Sequence, residues 1–204
     1  WLEVMHTAHK IGLRSTATIM FGHVDGPVNW ARHLNHVRAL QIETGGFTEF
    51  VPLPFVHMES PIYRKGWARA GPTYREAILM HAISRLVLHP HITNIQTSWV
   101  KMGPPGAKAC LSAGVNDVGG TLMNESITRA AGATFGQELP PETMENLIRE
   151  AGRIPRQRTT FYAQPSLCQT SQSFGAANLE TSINLAPPLR KSPRQTETAR
   201  FGRL

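Results

Sequence analysis

The sequence predicts an α/β fold, the carboxyl-terminal half of a parallel (β/α) barrel, and three observations predict it. Strand-like runs, each followed by a helix-like run, begin near Ser15, Phe47, Asn94 and Asp117. No antiparallel hairpin signal stands between them, and strands joined through helices must lie parallel. No GxGxxG or GxxxxGK[ST] loop follows any of the strands, so an open nucleotide-binding sheet has no fingerprint here. A closed barrel takes eight such units, and four are half of one. The chain opens at Trp1, inside a helix-like run, and is expected to be a fragment whose other half precedes it.

Each element has a local reason. Val4, Ala8 and Ile11 recur at helical spacing, and Gly12 suits a helix stop. Ser15 to Phe21 is strand-like. Asp25 is placed to cap the next helix, whose first turn tolerates Pro27. That helix carries Trp30, Leu34, Val37 and Leu40 on one face and stops at Gly45-Gly46. Phe47 to Val56 is the next strand, with an end made irregular by its two prolines. His57 to Pro72 is long for a strand-to-helix connection, which makes it a candidate lid or substrate loop. Thr73-x-x-Glu76 is a capping box and opens a helix with Leu79, Ile83 and Leu86 inward. Residues 94–102 are read as a strand, 103–116 as a short helical crossover, and Asp117 to Met123 as a second short strand. A helix from Pro141 to Ala151 ends at Gly152. Residues 1–158 therefore form the folded unit. Residues 159–204, rich in Ser, Thr, Gln, Pro and Asn, are expected to be a disordered basic tail.

Charge and composition exclude several classes. The chain has 204 residues and a formal net charge of +7. Residues 1–152 hold 13 Lys/Arg against 12 Asp/Glu, whereas 153–204 hold 8 against 2, so the surplus lies in the tail. A nucleic-acid surface would cluster Lys and Arg with aromatics on the folded part, and this sequence does not. No apolar run approaches the roughly 20 residues of a membrane span. Cys110 and Cys168 are far apart, in no CxxC or CxxxCxxC spacing, and are expected to be free thiols in a reducing compartment. All nine histidines fall within the first 91 residues. His33 and His36, or His6 and His9, could face one metal, but no acid or cysteine completes a set, so no metal site is assigned.

The residues that carry chemistry should collect at the strands' carboxyl ends. Lys101, Thr121, Asn124 and Glu125 fall there, and His23 closes the first strand at the same face. Gln96 and Ser98 are polar within the third strand. Glu49 stands in an otherwise apolar strand, and a buried carboxylate needs either an internal cation or a ligand. Gly119 and Gly120 let a ligand approach the strand, or mark a bulge in which Asp117 caps a turn.

Five stretches together carry a family resemblance: STATIMFGHVD, GGFTEFVPLPFVHMESP, NIQTSWVKMG, GVNDVGGTLMNESI and GRIPRQRTTFY. In this order, over about residues 1–162, the chain resembles the FO synthase family, radical S-adenosylmethionine (SAM) enzymes of deazaflavin biosynthesis. The match is to the C-terminal part of the subunit or domain that joins tyrosine to a pyrimidine. The resemblance implies a TIM-type radical SAM barrel, a 4Fe-4S cluster and SAM in the complete enzyme. It implies transfer of a 4-hydroxybenzyl unit from L-tyrosine to 5-amino-6-(D-ribitylamino)uracil, and a partner subunit or domain that closes the ring. The family's CxxxCxxC cluster ligands are absent from this sequence, and at Asn124 an amide stands where the family implies an acid. On barrel logic His23, Glu49, Gln96, Ser98, Lys101, Asp117 and Thr121, with Gly119 and Gly120, line the substrate or SAM cavity. A sister radical SAM enzyme of futalosine-dependent menaquinone synthesis, a non-catalytic half-barrel binding module and a basic-tail interaction protein are the rivals. A cytoplasmic location is expected, or an organelle in a eukaryotic source.

Overall fold

Two strands, β1 (Ser15–Phe21) and β2 (Phe47–Pro54), pair in parallel, with Thr16 opposite Glu49 and Phe21 opposite Pro54. The computed structural model describes residues 1–122 and 125–177. Ala17, Ile19 and Phe21 alternate with exposed Thr16, Thr18 and Met20, which gives the sheet one dry face and one open face. Helices α1 (Leu2–Lys10) and α2 (Pro27–Thr44) precede and follow β1. The predicted face of α2 is the buried one: Trp30, Leu34, Val37 and Leu40 pack under the dry face, with Trp30 edge-on to Phe21 at 5.3 Å. Each such side chain contributes about 1.5–3 kcal/mol by leaving water. Gly45 ends α2 at φ 63°, in the left-handed region that glycine allows.

Asp25 does not cap α2. Gly26 is the N-cap, and the Asp25 carboxylate accepts instead from the Gly22 and His23 amides (2.8 and 2.9 Å) and from Trp30 Nε1. Two amides in the turn behind it outcompete the helix terminus ahead.

The loop after β2 holds the short helix α3 (Pro61–Arg64), then α4 (Tyr74–Leu88) begins at the predicted capping box, where Glu76 N donates to Thr73 Oγ1 at 3.2 Å. The inward face of α4 differs from expectation. Leu79, Ile83 and Leu86 are exposed, and Ala77, Met80, His81, Ser84 and Leu88 are buried against α2, β2 and α5. Small residues let the helices approach closely. The two polar ones each bond a carbonyl of their own helix: His81 Nδ1 bonds Ala77 O at 2.7 Å and Ser84 Oγ bonds Met80 O at 2.6 Å.

The third and fourth strands shrink to isolated parallel bridges, Phe50 to Ile95 and Gln96 to Asp117. Pro52 supplies a reason. Phe50 N donates to Asn94 O and Phe50 O accepts from Gln96 N, so Pro52, two residues on, faces the same neighbour with no N–H to give. The β1–β2 ladder is unaffected because it uses the alternate residues. The chain then leaves the strand early. Trp99, Val100 and Lys101, read as strand, open helix α5 (Trp99–Ser112), which kinks at Gly103 (φ 66°) before Pro104-Pro105. The expected strand 117–123 is extended only around its bridge, and Met123 and Asn124 lie outside the described residues. After α6 (Ile127–Ala130) comes α7 (Pro141–Glu150), close to the predicted helix.

The stretch from 159, expected to be disordered, is structured as far as the description goes. Tyr162 reaches back to the sheet, and Leu167–Phe174 forms α8, opened by a Ser166 capping box and packed on α7. The Ser-Gln composition that argued for disorder also supplies that cap. The remainder of the expected tail, from residue 178, lies outside the described residues. No helix among the described residues is long and apolar enough to cross a membrane.

Candidate functional site

Parity along the strands sets the site. Glu49 pairs with Thr16 on the open face, and Gln96 and Asp117 continue the same face through their bridge. Their side chains meet: Gln96 Nε2 donates to Glu49 Oε2 and to Asp117 Oδ2, each at 3.2 Å, and Thr16 Oγ1 donates to Glu49 Oε1 at 3.0 Å. Asp117 Oδ1 accepts from Gly119 N at 3.0 Å, the turn foreseen for Asp117. Gly119 has φ 76°, and a Cβ there would stand 3.1 Å from Gln96 Oε1.

A strap of residues 153–163 crosses this face. Arg158 Nη2 pairs with Asp117 and, at 3.4 Å, with Glu49, and the Tyr162 hydroxyl lies within hydrogen-bonding reach of both carboxylates. The guanidinium stacks 4.1 Å above the Tyr162 ring. Tyr162 sits at φ 61°, closed by Thr159 N to Ala163 O at 2.9 Å. That backbone costs about 1–2 kcal/mol for a residue with a Cβ, and it turns the ring under Arg158. Burial would raise the Asp117 carboxyl, but the bonds from Arg158 and Tyr162 and the Arg158 charge hold it below the ordinary value. Burial, then the bonds to Asp117 and Glu49, push the Tyr162 phenol well above the ordinary tyrosine range. The Glu49 alternatives are thus partly resolved: an internal cation is present.

The other sequence-chosen residues separate into two places. Asp117, Gly119, Gly120 and Thr121 border a cavity of about 570 Å³, walled opposite by Met144 and Ile148 of α7 and by the strap. The Gly120 and Thr121 carbonyls are engaged, by Trp99 Nε1 at 2.9 Å and Leu139 N at 3.0 Å. His23 lies past the carboxyl end of β1, seven residues beyond Thr16 in sequence, so the strand separates it from Glu49 by about 20 Å. The two do not share a floor. His23 Nδ1 lies 2.6 Å from Val24 N and 3.0 Å from Asp25 Oδ1. Ser98 is the N-cap of α5 and Lys101 lies in its first turn; burial lowers the Lys101 ammonium, which the Glu125 charge opposes. Thr16, Arg158 and Tyr162 were missed. Glu49, a carboxylate inside an apolar strand, was the signal that a cation had to arrive, but its source is 109 residues away.

A family model described as the CofH/MqnC C-terminal region matches residues 44–171. The chain belongs to this family. It is 52% identical over 162 residues to the 5-amino-6-(D-ribitylamino)uracil–L-tyrosine 4-hydroxyphenyl transferase of Methanopyrus kandleri, covering 79% of this chain and 44% of that protein. It is 52% identical over 163 residues to the FO synthase of Mycobacterium leprae, covering 80% of this chain and 19% of that protein. The FO synthase of Streptomyces coelicolor is 51% identical over 162 residues, with 79% and 19% covered. The chain thus spans less than half the length of these curated relatives. The family match includes β2, the Gln96–Asp117 bridge and the strap, and so takes in Glu49, Gln96, Asp117, Arg158 and Tyr162.

Proposed function

We propose that this chain is the carboxyl-terminal half of the barrel of an FO synthase-type radical SAM transferase. The complete enzyme joins the 4-hydroxybenzyl group of L-tyrosine to 5-amino-6-(D-ribitylamino)uracil, and a ring-closing subunit or domain takes the product onward in the cytoplasm. The observation that carries this reading is the 52% identity to the Methanopyrus transferase over 162 residues. The relatives' names favour it over the menaquinone branch, and the continuous match from the dry core to the strap favours a working enzyme over a bare scaffold.

The 4Fe-4S cluster does not fit on the described residues. No three of their His, Cys, Asp and Glu side chains gather. Cys110 is buried with its thiol pushed up by burial to about 11, and Cys168 is exposed on α8. No step is therefore assigned to a cluster here, and this chain on its own is expected to be inactive.

The open face does fit a ligand rich in N–H donors. Glu49 and Asp117 offer carboxylate oxygens, Gln96 an amide, and the strand 117–121 a narrow glycine wall. That chemistry suits the edge of the aminouracil, the ammonium of tyrosine, and the amino groups of SAM, which when bound supplies the 5′-deoxyadenosyl radical. In this reading Glu49, Gln96 and Asp117 hold and orient a nitrogenous ligand. Gly119, Gly120 and Thr121 shape its wall, and His23, Ser98 and Lys101 contact a ligand from the carboxyl-end side.

The test is anaerobic turnover by the complete, cluster-loaded protein with SAM, L-tyrosine and the aminouracil, read by mass spectrometry of the hydroxybenzyl adduct. The adduct is the expected result. SAM cleavage without adduct, together with turnover of a menaquinone-branch substrate, would overturn the reading.

A further inference from the structure

The cavity of about 570 Å³ runs along the edge of residues 117–121 and not over their face: Glu49 and Gln96, which share the open face with Asp117, do not border it. That edge is bare backbone. Asp117 O accepts from Thr97 N of the third strand, and the next residue of a strand turns its polar groups to the opposite edge. Val118 is 6% exposed, yet neither its N–H nor its C=O has a hydrogen-bond partner among the described residues, and Gly120 N–H has none either. Buried backbone groups of native proteins are nearly always paired.

The other walls ask for a neighbour too. Ile154 of the strap and Phe174 of α8 line the cavity beside Met144 and Ile148 of α7, but are 91% and 37% exposed. Two guanidiniums at the rim lack an acid. Arg153 Nη2 donates to Leu111 O at 3.4 Å, and Arg156 pairs with no acid among the described residues. The acids that border the cavity are taken, Glu145 by Arg149 at 2.6 Å and Asp117 by Arg158. A small ligand fills volume, whereas the N–H and C=O groups of a strand edge are matched position by position by another extended backbone. Such a backbone has a source: the match covers 44% of the Methanopyrus transferase, so more than half of that protein's length lies outside it.

We infer that the cavity is an assembly seam. In the complete protein an extended segment from outside this chain adds to the edge at residues 118–120. It sets alternate aliphatic side chains against Met144, Ile148 and Ile154, and turns a carboxylate to Arg153 or Arg156. This rests on the function proposed above only in taking the chain for part of a longer enzyme, and goes beyond it in naming the edge, the wall and the charge that the joining segment must match. Residues 117–121 then serve twice, their face toward the proposed ligand site and their edge toward assembly.

The test uses the complete protein carrying p-benzoylphenylalanine in place of Ile154. Irradiation should crosslink position 154 to a peptide outside the span of this chain, and mixing light with isotope-labelled protein should show the link to lie within one molecule. Saturating aminouracil, L-tyrosine or SAM should leave the yield unchanged. Links confined to this chain's own span, or links between copies, overturn the inference. Loss of the link on adding any of the three small molecules overturns it as well, by making the cavity a ligand pocket. Hydrogen exchange of the complete protein reads the edge itself. The Val118 and Gly120 amides should exchange about a hundredfold or more slower than unstructured ones, and unprotected exchange at both overturns the strand pairing. Arg156→Glu should lower the melting temperature while Arg156→Lys keeps it at the wild-type value, and equal melting of the two overturns the carboxylate. Should Arg156→Glu not fold, the crosslink and the exchange, both read with Arg156 in place, still decide. No readout here needs turnover, so a missing adduct sinks the proposed function alone.

Discussion

Gly119 holds φ 76°, and a Cβ there would press on the Gln96 amide at 3.1 Å, whereas a Cβ on Gly120 would meet only Leu122 N at 4.0 Å. The sequence offered both glycines as places for close approach, but only the first is constrained by the fold. Gly119→Ala should cost about 1–2 kcal/mol from the left-handed backbone alone and push Gln96 from Glu49 and Asp117. Gly120→Ala should stay within about 0.5 kcal/mol, as surface substitutions do. Urea unfolding of both variants separates them, and equal losses would show that the two positions are constrained alike. Asp117→Asn keeps the shape and the acceptor for Gly119 N while removing the charge that Arg158 pairs with. Its loss should be about 1.5–3 kcal/mol, the range for hydrogen bonds to a charged group, seen as a lower urea midpoint at unchanged slope. A midpoint equal to wild type would mean that Arg158 finds Glu49 an equal partner.

At the scale of elements, the strap and α8 make different demands. The strap delivers Arg158 and Tyr162, whereas α8 packs on α7 and brings Phe174 to the cavity's edge. In the complete enzyme, truncation after Ala163 should preserve the carboxylate cluster and leave ligand affinity near wild type. Truncation after Gly152 should abolish binding because both acids lose Arg158 and Tyr162. Isothermal titration with the aminouracil and SAM distinguishes them, and equal binding by the two truncations would remove the strap from the site. The helices were legible because their caps and apolar stripes are local: the Thr73 capping box, the α2 stripe and the Gly45 stop all appear where the sequence puts them. The α4 face was misread because Ala, Ser and His carry little hydrophobic signal, yet they suit a close helix contact. The third and fourth strands were overextended because periodicity cannot register a missing donor on a neighbour, here Pro52. The cluster's acids were legible as anomalies in their strands. Its cation and phenol were not, since contacts spanning 109 and 113 residues leave no local trace.

Across the whole molecule, buried histidines stand where acid must act. His81 is fully enclosed in α4, with Nδ1 bonded to Ala77 O and Nε2 buried without a partner among the described residues. His33 of α2 likewise buries Nε2 unpartnered, and His9 of α1 is buried between Thr44 and Ser15. Burial lowers all three below the ordinary value of 6.5, with charge repulsion from His6 and His36 adding to it at His9 and His33. Each folded-state value is depressed, so as pH falls below about 6.5 the unfolded chain takes up protons that the folded chain refuses. The stability these groups allow is therefore complete above 6.5 and declines as pH falls. Each refused proton contributes a slope of at most about 1.4 kcal/mol per pH unit. Asp117 acts in a separate window, because its depressed carboxyl holds its contribution until pH drops below 3.8. The unfolding midpoint should thus fall between pH 6.5 and 5, before Asp117 titrates. His81→Leu, which fills the same core position without a titrating nitrogen, should flatten that fall while leaving the steeper loss below pH 4 in place. Urea midpoints of wild type and His81→Leu at half-unit intervals measure it. A variant that tracks wild type through pH 5–6.5 would assign the acid sensitivity to His9 and His33 instead.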